Sequence, residues 1–215
     1  MKEATVTIWK KPACSWCCLS ESLDFDAKKW SHAPAMIEPA LLDHLKYLHN
    51  RTAAEEISAA LDSLNGLPPF LRALLVADGT VTLLLRAYFN EQISIRTESQ
   101  FACATPEPLP LLALKTGDEV FMRSVTLSGG TSGHEYVEAT SLINPSLLDA
   151  ELFAALIDEH VGMGEVLRNS VRGSFREVLN IDIEDEEKVG RTYAVFLSGK
   201  PSILITERFR TRLFQ

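Results

Sequence analysis

The sequence predicts an α+β protein built on an antiparallel sheet, and three observations carry that prediction. Period-two spacing marks residues 118–127, 136–143, 191–197 and 203–209 as strands, which pair in order as two hairpins. Helical stretches stand before and between these hairpins instead of alternating with single strands, as a doubly wound sheet requires. Neither Gly-x-x-x-x-Gly-Lys-Ser nor Gly-x-Gly-x-x-Gly after a strand occurs, so the nucleotide-binding forms of that sheet are excluded as well.

The elements run in chain order. Residues 39–49 and 52–64 have helical spacing, with Leu41, Leu42, Leu45 and Leu48 on one stripe and Ala53, Ile57, Ala60, Leu61 and Leu64 on the other. Gly66 ends the second helix, and Pro68-Pro69 forces an extended lead into the next helix. The first 66 residues therefore read as an N-terminal extension, a short strand and two helices, ahead of a domain over residues 67–215. A helix over 70–76 is broken at Asp78-Gly79, and an apolar run covers 80–89. The first hairpin turns through Ser128-Gly-Gly-Thr-Ser-Gly133, which reads as a hairpin tip in preference to a phosphate cradle. Pro145 leads into an amphipathic helix over 147–157, with Ser146 as its N-cap, and another helix covers 162–168. The acidic run over 182–187 reads as a solvated loop, and the second hairpin turns at Ser198-Gly-Lys-Pro201. No internal repeat is visible.

Composition narrows the function. The chain has 215 residues, 46% hydrophobic and 23% charged, and 29 acidic against 21 basic side chains leave a formal net charge of −8. Phosphate neutralisation needs a basic surplus, so nucleic acid is not an expected partner. No apolar run approaches the roughly 20 residues that span a bilayer. Lys10 and Lys11 interrupt the place where a signal peptide carries its apolar segment, which points to the cytoplasm.

The cysteines cluster as Cys14-Ser-Trp-Cys17-Cys18 with Cys103 alone, unlike a secreted disulfide framework. Residues 5–17 resemble the first strand and Cys-x-x-Cys of a glutaredoxin, but that likeness stops after about twenty residues for want of a βαβ continuation. A zinc site drawing on His32, His44 or His49 would need a second Cys-x-x-Cys or a His-x-x-x-His pair, and neither is present.

Two charged residues stand out. Arg123 is set among apolar neighbours in a strand, and guanidinium cannot shed its charge when buried. Glu207 sits likewise in Ile203-Leu-Ile-Thr-Glu207-Arg-Phe. Pattern alone favours a solvent-facing position for each.

Read together, three words change that balance. Phe121-Met-Arg123-Ser-Val-Thr-Leu, Gly162-Met-Gly-Glu-Val-Leu167 and Leu197-Ser-Gly-Lys-Pro-Ser-Ile-Leu-Ile-Thr-Glu207-Arg-Phe resemble, in order and spacing, segments of the chorismate pyruvate-lyase family, whose fold is shared with UTRA effector domains. Leu74-Leu-Val-Ala-Asp-Gly-Thr80-Val-Thr-Leu resembles the family's helix-to-strand lead-in. The likeness covers about residues 67–213. It implies a six-stranded antiparallel sheet with helices over it and a small closed apolar site. The implied reaction is loss of pyruvate from chorismate to give 4-hydroxybenzoate, with no metal and no organic cofactor. By position, Arg123 would bind the ring carboxylate, Glu207 would face the ether and hydroxyl end, and Val81 and Met163 would contact the ring.

Arg86, Val81 and Met163 depart from the family's usual residues, so a related aromatic or enolpyruvyl acid stays open as substrate. The expected partner is a small anionic molecule, with no membrane, and the oligomeric state is left open. Two other classes also stay open: a non-catalytic aromatic-acid binder, and an effector-sensing domain. A regulator would need a helix-turn-helix in front, and residues 1–66 carry more acidic than basic side chains.

Overall fold

Strands whose alternate side chains are apolar on both sides need cover on both faces, and that requirement organises this chain. The structure is a computed structural model describing residues 36–49, 64–158, 162–170, 173–183 and 187–215. All of them fall in the second of the two units into which the chain divides, Pro34–Gln215. Six strands, β1 (Ile93–Ala104), β2 (Glu119–Gly129), β3 (Glu135–Ile143), β4 (Phe175–Ile183), β5 (Lys188–Leu197) and β6 (Lys200–Arg210), form one sheet in the order β1-β2-β3-β6-β5-β4. Every neighbouring pair is antiparallel.

The described helices are α1 (Pro39–His49), α2 (Pro69–Val76), α3 (Val81–Phe89), α4 (Ala150–Leu156) and α5 (Met163–Ser170). On the front face Phe121, Val137, Val195 and Ile205 pack with Leu74 of α2, Leu85 of α3, Leu156 of α4 and Leu167 of α5. On the back, Met122, Leu142, Ala194 and Leu204 pack with Leu42 and Leu45 of α1 and with Leu109, Leu112 and Leu114. Neighbouring residues of one strand thus serve different layers, which pins its register, since a one-residue slip would exchange the two faces. No helix among the described residues is long and apolar enough to cross a membrane.

The α+β architecture expected from the sequence is the one observed, with both hairpins in place. The Ser198-Gly199 turn takes positive φ at both residues, 51° and 77°, the twist that a two-residue hairpin needs. The tip of the β2–β3 hairpin holds an anion, and the anion is the chain's own. The backbone N–H groups of Thr131 and Ser132 each donate to Glu91 Oε2 at 2.9 Å. The Ser132 and Tyr136 hydroxyls donate to Glu91 Oε1.

Several expectations need correction. The run over 80–89 is helix α3, not a strand: its apolar side chains follow helical spacing, with Val81 and Leu85 buried. Ser146 is not the N-cap of α4. It lies in a short 3-10 turn where its N–H donates to Asn144 Oδ1, and Asp149 caps α4 by accepting from Leu152 N at 2.7 Å. The outer strands β1 and β4 are not apparent in the sequence; in β1 the apolar positions are only half-buried and alternate with Ser94, Arg96 and Glu98. The N-terminal strand, its cysteines and residues 52–63 of the expected helix over 52–64 lie outside the described residues, and Leu64 begins a short 3-10 turn, Leu64–Gly66.

The fold also repeats where the sequence does not. Two helices and then a three-stranded meander occur as α2-α3-β1-β2-β3 and again as α4-α5-β4-β5-β6. The meanders join where Thr140 stands directly opposite Thr206, and a local two-fold axis through that pair relates them. Ser124 pairs with Thr140, and Thr192 with Thr206. β1 carries a bulge between Thr97 and Ser99, and β4 carries one at the related place, between Val178 and Asn180. Under this relation Arg123 corresponds to Arg191, Ser141 to Glu207 and Ile95 to Arg176.

Candidate active site

The front face of the sheet carries a cavity of about 70 Å³ beside the first turns of α3 and α5. Its floor is supplied by Arg123 of β2, Ala139 and Ser141 of β3, Tyr193 of β5, and Ile205 and Glu207 of β6. Its cover is Thr80 and Val81 on one side and Gly162, Met163 and Gly164 on the other. Arg123, Glu207, Val81 and Met163, singled out from the sequence, therefore line one cavity. Alternation does this: odd-numbered positions of the four inner strands all point to the front.

Arg123 is 2% exposed, so the solvent-facing position favoured by its pattern is not the one it takes. Its Nη1 donates to the Leu156 carbonyl at the end of α4, at 2.7 Å, and its Nη2 to Thr97 Oγ1 at 3.4 Å. A helix C-terminus presents carbonyls and partial negative charge, which suits a guanidinium. Ser141 is its neighbour on β3.

Glu207 is buried too, and both of its oxygens are engaged. Arg191 Nε donates to Oε2 at 2.8 Å, and the Tyr193 hydroxyl donates to Oε1 at 3.1 Å. Arg191 Nη1 reaches the carbonyls of Leu74, Leu75 and Ala77 at the end of α2. Burial works against the charge of Arg191, but Glu207 and the neighbouring Tyr193 outweigh it and hold the guanidinium above its ordinary range. Burial, then the Glu207 charge, pushes the Tyr193 phenol well above its ordinary value of 10, so it stays a proton donor in this bond.

Arg191 and Tyr193, the side chains that bond Glu207, are the neighbours of the candidate site that sequence reasoning missed. The criterion that picked out Arg123, a charge set in an apolar strand, applies equally to Arg191, which lies in the predicted strand over 191–197.

The cover is tight. A Cβ on Gly164 would meet Thr80 Cγ2 at 2.9 Å, so a larger residue there requires Thr80 to shift, and one on Gly162 would press on the end of the Ile95 side chain, Cδ1, at 3.0 Å. Arg86 is exposed on α3 and does not line the cavity. His44 is bonded on the back face, Nε2 to Thr192 Oγ1 at 3.1 Å, and no group of three metal-ligating side chains occurs among the described residues.

The family profile described as "Chorismate pyruvate-lyase Rv2949c-like" matches residues 75–215. The chain belongs to this family. A family relative called chorismate pyruvate-lyase, from Mycobacterium leprae, is 30% identical over 181 residues, covering 77% of this chain and 83% of the relative. One of the same name from Mycobacterium tuberculosis is 26% identical over 162 residues, 67% of this chain and 81% of that protein. Among solved structures, PhnF from Mycobacterium smegmatis superposes with a TM-score of 0.50 at 10% identity, over 64% of this chain and 66% of that one. Its separately solved effector domain gives the same score, with 91% of the domain covered. These last likenesses concern the fold: the chorismate pyruvate-lyase family and this effector domain share one sheet architecture.

Proposed function

We propose that this chain is a lyase that eliminates pyruvate from chorismate, or from a closely related enolpyruvyl acid, leaving 4-hydroxybenzoate or its analogue. The observation that carries the reading is the convergence of Arg123 and Glu207, from separate strands, on one small and mostly apolar cavity that Val81 and Met163 also line. Family membership supports the same reaction.

In this reading Arg123 holds the ring carboxylate with its guanidinium fork. Val81 and Met163 press on the ring, which fixes its orientation and keeps water out. Glu207 faces the hydroxyl and ether end. There it takes the ring proton as the ether carbon–oxygen bond breaks; the bonding electrons leave with the oxygen, and the proton is returned to the enolpyruvate carbon to give pyruvate. The ring becomes aromatic, which supplies the driving force, so a positioned proton shuttle in a dry site is sufficient machinery. Arg191 and Tyr193 fix the direction in which the Glu207 carboxylate points.

The cavity of about 70 Å³ is far below the roughly 300 Å³ at the lower end for ligand pockets, so a ring enters only when the Thr80 and Gly164 segments part. The test is to incubate the purified chain with chorismate and follow pyruvate and 4-hydroxybenzoate together. Equal amounts of both are expected, with Glu207→Gln strongly impaired. Tight binding of 4-hydroxybenzoate with no pyruvate release would overturn the lyase reading in favour of a non-catalytic aromatic-acid binder.

A further inference from the structure

The cavity has a second guanidinium that the proposed mechanism does not use. Arg176 stands on β4, lines the cavity, and donates from Nη1 to the Asp78 carbonyl at 2.9 Å. That carbonyl lies at the root of the Gly79–Thr80 segment of the cover. Arg176 is half-buried, and no carboxylate among the described residues stands within ion-pair distance of it. The other half of the fold places Ile95 at the related position, so no packing rule of the repeat asks for a cation there.

The charges of the lining point the same way. Among the described residues its charged side chains are Arg123, Arg176 and Glu207, and Glu207 is paired with Arg191. A chain of net charge −8 therefore places two guanidinium groups and one already matched carboxylate around a small cavity. That arrangement suits a ligand with two carboxylates held apart. An anion approaching an acidic protein is not captured by net charge, so local cations must do it.

We infer that Arg176 is a specificity-determining residue: it binds the second carboxylate, the one on the enolpyruvyl arm, while Arg123 binds the first at the inner end of the cavity. This rests on the lyase reading, because only that substrate class carries a second carboxylate, on the arm that is lost. After cleavage, pyruvate is held at Arg176 beside the cover, whereas the hydroxybenzoate is held at Arg123. The two carboxylates of the substrate thus end on different products, each with its own arginine.

The experiment compares wild type, Arg176→Ala and Arg176→Lys in two measurements: pyruvate release across chorismate concentration, and equilibrium binding of 4-hydroxybenzoate, which has one carboxylate. Losing a charge-assisted bond should raise KM for chorismate roughly ten- to hundredfold in Arg176→Ala. Hydroxybenzoate binding should change less than about threefold, and Arg176→Lys should recover part of the KM. An unchanged KM overturns the inference. So does equal weakening of both ligands, which would make Arg176 only a tie for the cover. If wild type releases no pyruvate, the lyase reading fails, and binding of intact chorismate against 4-hydroxybenzoate to the same variants still decides Arg176: selective loss of the two-carboxylate ligand supports it, and parallel behaviour refutes it.

Discussion

The two halves of the sheet use the same arginine in two ways. Arg123 and Arg191 occupy related positions on β2 and β5, and each donates from Nη1 to the last carbonyls of a helix, Arg123 to α4 and Arg191 to α2. They differ in what stands across the strand. Arg191 faces Glu207, and Arg123 faces Ser141. The second half therefore contains, built from its own residues, a carboxylate seated on a strand arginine. The first half carries its arginine on the lining of a cavity, with Ser141 in place of a glutamate across the strand. The Arg191–Glu207 pair displays inside the protein the kind of contact that Arg123 is proposed to make with a ligand.

The largest test is to break the internal pair. Arg191→Ala leaves Glu207 buried without its cation and strips three helix carbonyls of their donor, so it should cost about 3–5 kcal/mol in unfolding experiments. Replacing both partners, Arg191→Met with Glu207→Leu, should recover most of that stability while pyruvate release stays absent. Recovery of folding without recovery of turnover would separate the pair's structural role from its chemical one.

The second test makes the halves alike. Ser141→Glu places opposite Arg123 the carboxylate that Arg191 already has. The new side chain should occupy the ligand's position, and kcat/KM should fall roughly a hundredfold or more while thermal unfolding shifts little. Arg123→Ala should lose turnover to a similar extent. If Ser141→Glu binds 4-hydroxybenzoate as wild type does, the analogy between the two halves fails.

A smaller effect belongs to the cover. In Gly164→Ala the added methyl meets the Thr80 methyl, and turnover should drop roughly five- to tenfold. Thr80→Ser in the same chain removes the obstructing methyl and should restore most of the rate, which steady-state kinetics on the single and double variants will read directly.

The smallest effect concerns stability against pH at the β2–β3 tip. Hydrogen bonds, first from Tyr136 and then from the Ser132 and Thr131 backbone, lower the Glu91 pKa from 4.5 to about 2. A lowered folded pKa means stability that is fully present above the unfolded value and is lost as protons bind on acidification. The difference in melting temperature between wild type and Glu91→Gln should be widest above pH 4.5 and should shrink as pH falls toward 2.

Much of this was legible in the sequence, and the parts that were not share a cause. Both hairpins were readable because their strands alternate cleanly and their tips carry glycine. Arg123 and Glu207 were readable as charges in apolar strands, though their pattern alone argued for the surface. Arg191 satisfied the same criterion and went unnoticed, because its meaning depends on Glu207 and on the end of α2, partners far away in sequence. The internal repeat was invisible because it resides in backbone register; its halves place Ser against Glu and Ile against Arg at related positions. The outer strands were missed because only one of their edges and part of their faces are buried, which weakens the apolar alternation that reveals a strand.

The paired bulges on β1 and β4 have a consequence for how large this sheet can become. An outer strand with a regular ladder invites another chain to add itself, and a run of such additions ends in aggregate. Here both outer strands are interrupted at the related place, by Glu98 as the extra residue on one side and Leu179 on the other. An extra residue twists the strand and spoils the spacing of its outward donors and acceptors. The same register irregularity that marks the repeat thus discourages growth at both ends of the six-stranded sheet that the described residues form.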